Sequence, residues 1–461
     1  MSLAREQTIA AVATPPGTGG IAIIRVSGPG VEAIARKLFR PRRPRRTFRN
    51  HHLYNGTIVS PATGGAIDEV LISIMRKPHS YTGEDVLEIH CHGGPFIVGA
   101  VLEEVFRAGA RPAEPGEFTR RAFLNDRLDL AQAEAVGDLI AARTDQGREL
   151  ALRHLSGALS DMVVRLKATL VDVLVHLETT IDFAEEEGHL PPMDEHTIRL
   201  CAMIDEIDTV LATWREGKVH RTGLAAVIAG KPNVGKSSLL NRFVGKRRAI
   251  VTEIPGTTRD FIEETVFVEG IAVRFIDTAG IRDSDEEIER EGMRFVWEKV
   301  SDADLVLVLF DGSIPLDHED IEIIKRIGDR PVLAVINKSD LPAAFTDGQV
   351  RDILQDTEPL RISAKYGEGM DRLKKRIREA AIGHQHSVSI DLILGNLRHK
   401  LALERTRALV ENALRGIEEG LSPELPALDV REALDALGEI VGETTTEEVL
   451  DRIFSTFCIG K

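Results

Sequence analysis

Residues 224–243 read LAAVIAGKPNVGKSSLLNRF, and no other stretch so narrows what the surrounding chain can become. An apolar, strand-like run leads into Gly-x4-Gly-Lys-Ser, and a helical run follows. That order requires a parallel α/β sheet with a phosphate-binding loop at the end of one strand. Gly230 and Gly235 let backbone N–H groups turn inward around phosphates. Lys236 brings a point charge to the β and γ oxygens, and the Ser237 hydroxyl suits Mg²⁺. Asn233, Val234 and Ser238 complete the loop and the first turn of the helix.

Three further elements follow in the order a guanine-nucleotide site needs. RFIDTAG places Asp277, Thr278, Ala279 and Gly280 after a strand, with Asp277 suited to the magnesium shell through water and the Gly280 N–H to the γ-phosphate. AVINKSD brings Asn337, Lys338 and Asp340 to another strand end. A carboxylate at Asp340 accepts from guanine N1–H and its 2-amino group, neither of which adenine offers, so the site selects GTP over ATP. LRISAK, with Ser363 and Ala364, has the character of the loop supporting the base. Hydrolysis is the open point. In Ras-like enzymes a Gln after Asp-x-x-Gly orients the attacking water, whereas Ile281 stands here. Two local substitutes exist, the acidic run 283–292 and Asn233.

The chain has 461 residues, enough for about three domains. Strand-like runs and one helical pattern, PFIVGAVLEEVFRAG, suggest an α+β domain over 1–120. A three-or-four spacing from Leu155 to Ile181 marks a helical stretch over 121–218. The P-loop region spans 219–383, and helical patterns return over 384–461. Both helical stretches need a partner for their apolar stripes, so one helical domain built from both, with the α/β region inserted, is the economical arrangement.

A net charge of −15 argues against a chain that coats nucleic acid unaided. Residues 36–50, RKLFRPRRPRRTFRN, nevertheless hold eight bases and no acid, and suit either a solvated loop or a contact for RNA or an acidic partner. Three scattered cysteines form no disulfide framework, and no apolar run is long enough for a signal core or a membrane span, so a cytoplasmic protein is expected. The closing FCIGK does not fit a prenylation box, which leaves Cys458 as a functional thiol or a packing residue. HCH at residues 90–92 lacks a second ligand pair at zinc spacing.

TPPGTGGIAIIRVSG, YTGEDVLEIHCHGGP, EPGEFTRRAFLNDRLDLAQAEA, AGKPNVGKSSLLN, PGTTRD, DTAGIRDS and FCIGK together resemble the MnmE (TrmE) family of tRNA modification GTPases, from the first strand to the last residue. The resemblance implies an N-terminal α+β domain that binds 5-formyl- or 5,10-methylene-tetrahydrofolate and dimerises, a helical domain split in sequence, and an inserted Ras-like G domain. It implies GTP-driven C5 modification of the tRNA wobble uridine (U34), with an MnmG-like FAD-containing partner. It implies Mg²⁺ on Ser237 and Thr258, and K⁺ held by Asn233, Thr252, Ile254 and Thr257 in place of an arginine finger, with G domains pairing. Glu289 matches the family's water-positioning acid and Arg282 its switch arginine. Arg25, Glu88, Arg127 and Lys461 fall on its folate positions, with Cys458 beside them and His92 near that pocket. The alternative is a regulatory or ribosome-assembly GTPase switch without covalent chemistry.

Overall fold

The computed structural model describes residues 7–44, 46–182, 193–245, 263–276, 303–354, 357–383 and 392–461. They form two compact units. The first comprises Met1–Ile140, Leu152–Leu200 and Ala408–Lys461, and the second Ala141–Ala151 and Cys201–Arg407.

The first unit is built on a seven-stranded sheet of β1 (Ile9–Val12), β2 (Ile21–Ser27), β3 (Phe39–Pro41), β4 (Leu53–Val59), β5 (Ala66–Met75), β6 (Val86–His92) and β7 (Arg111–Pro112). Their order is β3-β4-β5-β6-β2-β1-β7, antiparallel except for the β1–β7 pair. Alternation along the strands sorts the two faces. Ala22, Ile24 and Val26 of β2 and Leu87, Ile89 and Cys91 of β6 turn inward, where the helices Val31–Leu38 and Pro95–Arg107 cover them with Ile34, Leu38, Val101 and Val105. Each fully buried Ile or Val contributes about 1.5–3 kcal/mol of burial. The same parity puts Arg25 and Glu88 opposite each other on the other face.

The rest of this unit is helical. Ala158–Asp182 buries Leu159, Met162, Val163, Leu166, Leu170, Val173 and Leu177, the stripe that the spacing predicts. It packs along Glu424–Val441, whose Val430, Ala433, Leu437 and Ile440 are buried, so segments from before and after the P-loop region share a core. The last helix, Glu447–Ser455, sets Leu450 and Phe454 against Leu130 and Ala133.

The second unit carries a six-stranded sheet of β8 (Leu224–Ala229), β9 (Glu263–Val268), β10 (Ile271–Ile276), β11 (Leu305–Asp311), β12 (Val332–Asn337) and β13 (Leu360–Arg361). Its order is β13-β12-β11-β8-β10-β9, parallel except for β9. β8 and β11 are buried on both faces, which explains their unbroken apolar runs. Helices Lys236–Val244 and Met370–Ile382 cover one face, His318–Ile327 and Asp347–Leu354 the other. The carboxyl ends of β8, β11, β12 and β13 therefore open on one edge, where such sheets bind ligands. Among the described residues no helix is long and apolar enough to cross a membrane.

Candidate functional site

β8 ends at Ala229 and the chain turns through Gly230 to Gly235 before the helix Lys236–Val244 begins. The turn is tight enough to exclude side chains. A Cβ on Gly230 would lie 2.4 Å from the Leu309 carbonyl oxygen, and one on Gly235 would lie 2.2 Å from Asn337 Nδ2. Gly235 (φ +101°) and Asn233 (φ +62°) are both left-handed, which aims successive N–H groups inward. Lys236 Nζ donates to the carbonyls of Gly230 and Lys231, at 2.8 Å each, and so spans the loop. Burial holds its pKa below the usual lysine value, a cost that a bound phosphate would relieve. Ser237 and Ser238 are exposed on the first helical turn, while the Val234 side chain is core. The donor set fits a triphosphate with magnesium at Ser237.

The base side is tied to this loop by one residue. Asn337, buried at the end of β12, donates from Nδ2 to the Val234 carbonyl (2.8 Å) and accepts at Oδ1 from the Ala364 N–H (3.0 Å). Both ends of its amide are engaged within the protein, so it couples the phosphate loop to the base-supporting loop. Ser363 donates to Asp340 Oδ1 at 2.6 Å and orients an otherwise exposed carboxylate. Lys338, also left-handed (φ +62°), reaches Asp311 Oδ2 at 2.5 Å. Burial raises the Asp311 carboxyl, but Lys338 and Ser313 outweigh it and hold its pKa below the usual value.

Two of these residues carry no signal in the local sequence. Asp311 ends β11 and is paired from another strand. Lys231, which is buried, is held 2.8 Å from both Asp317 and Asp320, the capping box of helix His318–Ile327. That pair of carboxylates clamps the phosphate loop from the side. The remaining expected nucleotide and switch residues, Thr252, Ile254, Thr257, Thr258, Asp277, Thr278, Ala279, Gly280, Arg282 and Glu289, lie outside the described residues.

A second constellation forms in the first unit. Arg25 donates through Nε and Nη2 to Glu88 Oε1 at 3.0 and 2.9 Å, and through Nη1 to the Gly460 carbonyl at 3.3 Å. Its guanidinium lies 5.2 Å from the Tyr81 ring centre and 5.8 Å from that of Phe118. Lys461 Nζ lies 5.8 Å from the same Tyr81 ring. Tyr81 is fixed by a 2.8 Å hydrogen bond to Thr119, and burial pushes its phenol pKa up. The tail is seated by the Phe118 N–H, which donates to the Lys461 carbonyl at 3.2 Å. Gly460 packs against β1 so closely that a Cβ would lie 2.3 Å from the Val12 carbonyl oxygen. Burial, then the Arg25 charge, lower the Lys461 pKa against the opposing pull of Glu88 and Cys458. The Arg25 and Lys461 side chains thus lie on one aromatic ring beside Glu88, and these cationic donors suit an anionic ligand such as a glutamate tail.

Arg25, Glu88 and Lys461 therefore come together as expected. Arg127 is exposed, and among the described contacts only its backbone is engaged, donating to the Ala122 carbonyl. His90 is the neighbour of Glu88, with Nε2 3.7 Å from Oε2, whereas His92 lies farther along β6 and bonds Asp68. Cys458 is exposed and Ile459 is 60% exposed, so the packing alternative for this cysteine does not hold. Tyr81, Phe118 and Thr119 join this cluster without being expected site residues, although YTGED and EPGEFT contain them. Their signal is an aromatic beside a glycine turn.

Comparison with known proteins identifies the family. The family described as MnmE helical domain matches residues 130–458, and that described as GTP-binding protein TrmE N-terminus matches residues 8–127. The chain is 52% identical over 456 residues to the tRNA modification GTPase MnmE of Syntrophus aciditrophicus, covering 99% of this chain and 100% of that one. It is 45% identical to the tRNA modification GTPase MnmE of Natranaerobius thermophilus, at the same coverage. Among solved structures, the G domain of the T. maritima FeoB iron transporter is 26% identical, covering 34% of this chain and 98% of that one, with a TM-score of 0.27. The chain belongs to the MnmE family of tRNA modification GTPases.

Proposed function

We propose that this chain hydrolyses GTP to drive C5 modification of the tRNA wobble uridine, adding a (carboxymethyl)aminomethyl-type group. Its one-carbon donor is 5-formyl- or 5,10-methylene-tetrahydrofolate, and it works as a homodimer with an MnmG-like flavoprotein. One observation carries the reading: a guanine-type nucleotide site and a second, tail-built cationic site occur in the same chain. A pure GTPase switch needs only the first.

In the nucleotide site, the loop from Gly230 to Gly235 and Lys236 hold the phosphates. Ser237 and Thr258 hold magnesium, which neutralises charge on the β and γ oxygens. Asp340 selects guanine with Ser363 and Ala364 beneath it. Asn233, Thr252, Ile254 and Thr257 hold K⁺, which supplies the positive charge that Ile281 and its neighbours do not. Glu289 accepts a hydrogen bond from the attacking water and orients it, and Arg282 acts from the same segment. In the second site Glu88, held by Arg25, accepts from the donor edge of a pterin, while Lys461 and Arg127 offer cations to the glutamate carboxylates. Cys458 supplies an exposed thiol at the site's edge. The chain divides into a folate and dimerisation domain (1–120), a helical domain (121–218 and 384–461) and the inserted G domain (219–383).

The role of K⁺ has a direct check. GTP hydrolysis in KCl is expected to run about tenfold or more faster than in NaCl of equal ionic strength, because the transition-state charge is otherwise uncompensated. Equal rates in the two salts would remove K⁺ from the mechanism.

A further inference from the structure

We propose that the arginine-rich loop after β3, with the last turn of helix Val31–Leu38, is a docking surface for the phosphate backbone of RNA. The choice of RNA as the polyanion rests on the tRNA reading above. The surface itself rests on charge and anchoring.

Residues 36–50 bring eight bases and no acid to a chain whose net charge is −15, so a polyanion meets repulsion over most of the rest. Several arginines elsewhere in the first unit are paired with carboxylates, as Arg25 is with Glu88 at 2.9 Å and Arg121 with Glu84 at 3.0 Å. In the loop the pattern changes. Arg36 pairs with Glu32, and Arg40 caps the helix by donating to the carbonyls of Arg36 and Lys37. Lys37, Arg42, Arg43, Arg46 and Arg49 are all exposed and have no carboxylate partner among the described residues.

The loop is also pinned at both ends. Phe48, 8% exposed, packs between Phe39 and Tyr54, with ring centres 6.1 and 5.3 Å away. The Arg42 N–H donates to the Asn55 carbonyl at 3.1 Å and the Arg49 N–H to the Tyr54 hydroxyl at 2.7 Å. Pro44 has no N–H with which to extend the ladder past Arg42, and the Arg42 and Arg43 side chains are exposed. Anchored, uncompensated guanidinium groups suit phosphates twice over. They lose less entropy on binding, and each fork can engage two phosphate oxygens. Direct base readout is not part of the surface, because its aromatic residue points into the core.

The test uses the full chain and a labelled, unmodified tRNA transcript, titrated by fluorescence anisotropy from about 50 to 200 mM KCl. The comparison is a variant carrying Arg42→Ser, Arg43→Ser, Arg46→Ser and Arg49→Ser, with thermal unfolding as the check on folding. Each lost phosphate contact removes about 0.7–0.9 from the slope of log affinity against log salt, so the variant slope should be roughly three units shallower and its affinity at least about tenfold lower. A matching fourfold Arg→Lys variant should keep most of the slope. Equal affinity and slope for the Ser variant would overturn the proposal. So would a native chain that ignores the transcript but binds poly-glutamate through these arginines, which would assign the surface to an acidic protein. Binding to the transcript is read separately from tRNA modification in cells, so either idea can fail alone.

Discussion

Asp340→Asn is expected to invert the base preference of the nucleotide site, weakening GTP about 10²- to 10³-fold and admitting the xanthine nucleotide instead. In the proposed base site the carboxylate would accept two hydrogen bonds from guanine, and Ser363 holds its Oδ1 at 2.6 Å so that the acceptor edge keeps one orientation. Asparagine retains one acceptor and turns the other atom into a donor that faces the guanine 2-amino group. A lost charge-assisted bond is worth about 1.5–3 kcal/mol, and an opposed donor pair adds a desolvation penalty of similar size. Xanthine carries an oxygen in place of that amino group, and so restores both bonds. The measurement is competition of GTP and XTP for the native and variant chains. A variant that binds both nucleotides as the native chain does would take Asp340 out of base recognition.

The second large effect is expected from Gly460→Ala. Gly460 has φ +96°, and a Cβ there would lie 2.3 Å from the Val12 carbonyl oxygen and 3.0 Å from Ala13 Cα. Both are backbone atoms of a sheet strand and its continuation, so the tail is the part that moves. Its movement breaks the Arg25 bond to the Gly460 carbonyl and withdraws Lys461 from Tyr81. The loss of a charge-assisted contact of about 1.5–3 kcal/mol corresponds to roughly 10- to 100-fold weaker binding of 5-formyltetrahydrofolate. GTP binding, which belongs to the other compact unit, should be unchanged. Isothermal titration with both ligands checks the pair. Undiminished folate binding would detach the tail from that site.

These two residues also show where the sequence is readable. The phosphate loop is legible because its chemistry is local: strand, glycines, lysine, serine and helix follow one another within twenty residues. Strand parity is legible for the same reason, and places Cys91 inward with His92 exposed. The clamp of Lys231 by Asp317 and Asp320 is not, because the partners lie on different elements and an acidic helix start has the ordinary reason of capping its own N–H groups. Asn337 is legible as a motif residue, but its two-sided link between Val234 and Ala364 needs the register of three strands. The second site is the least legible. Arg25, Glu88 and Lys461 are legible only through the family resemblance, since nothing in their spacing announces that the tail returns to β1. Tyr81, the ring shared by both cations, carries only the glycine turn beside it in YTGED as a signal.

The central claim is that the two sites serve one reaction on tRNA. Its most direct test is mass-spectrometric nucleoside analysis of tRNA from cells lacking this protein, with the native gene and Cys458→Ser returned separately. The account predicts that C5-modified wobble uridines disappear in the deletion, return with the native chain and fail to return with the cysteine variant. An unchanged wobble uridine in the deletion would contradict it.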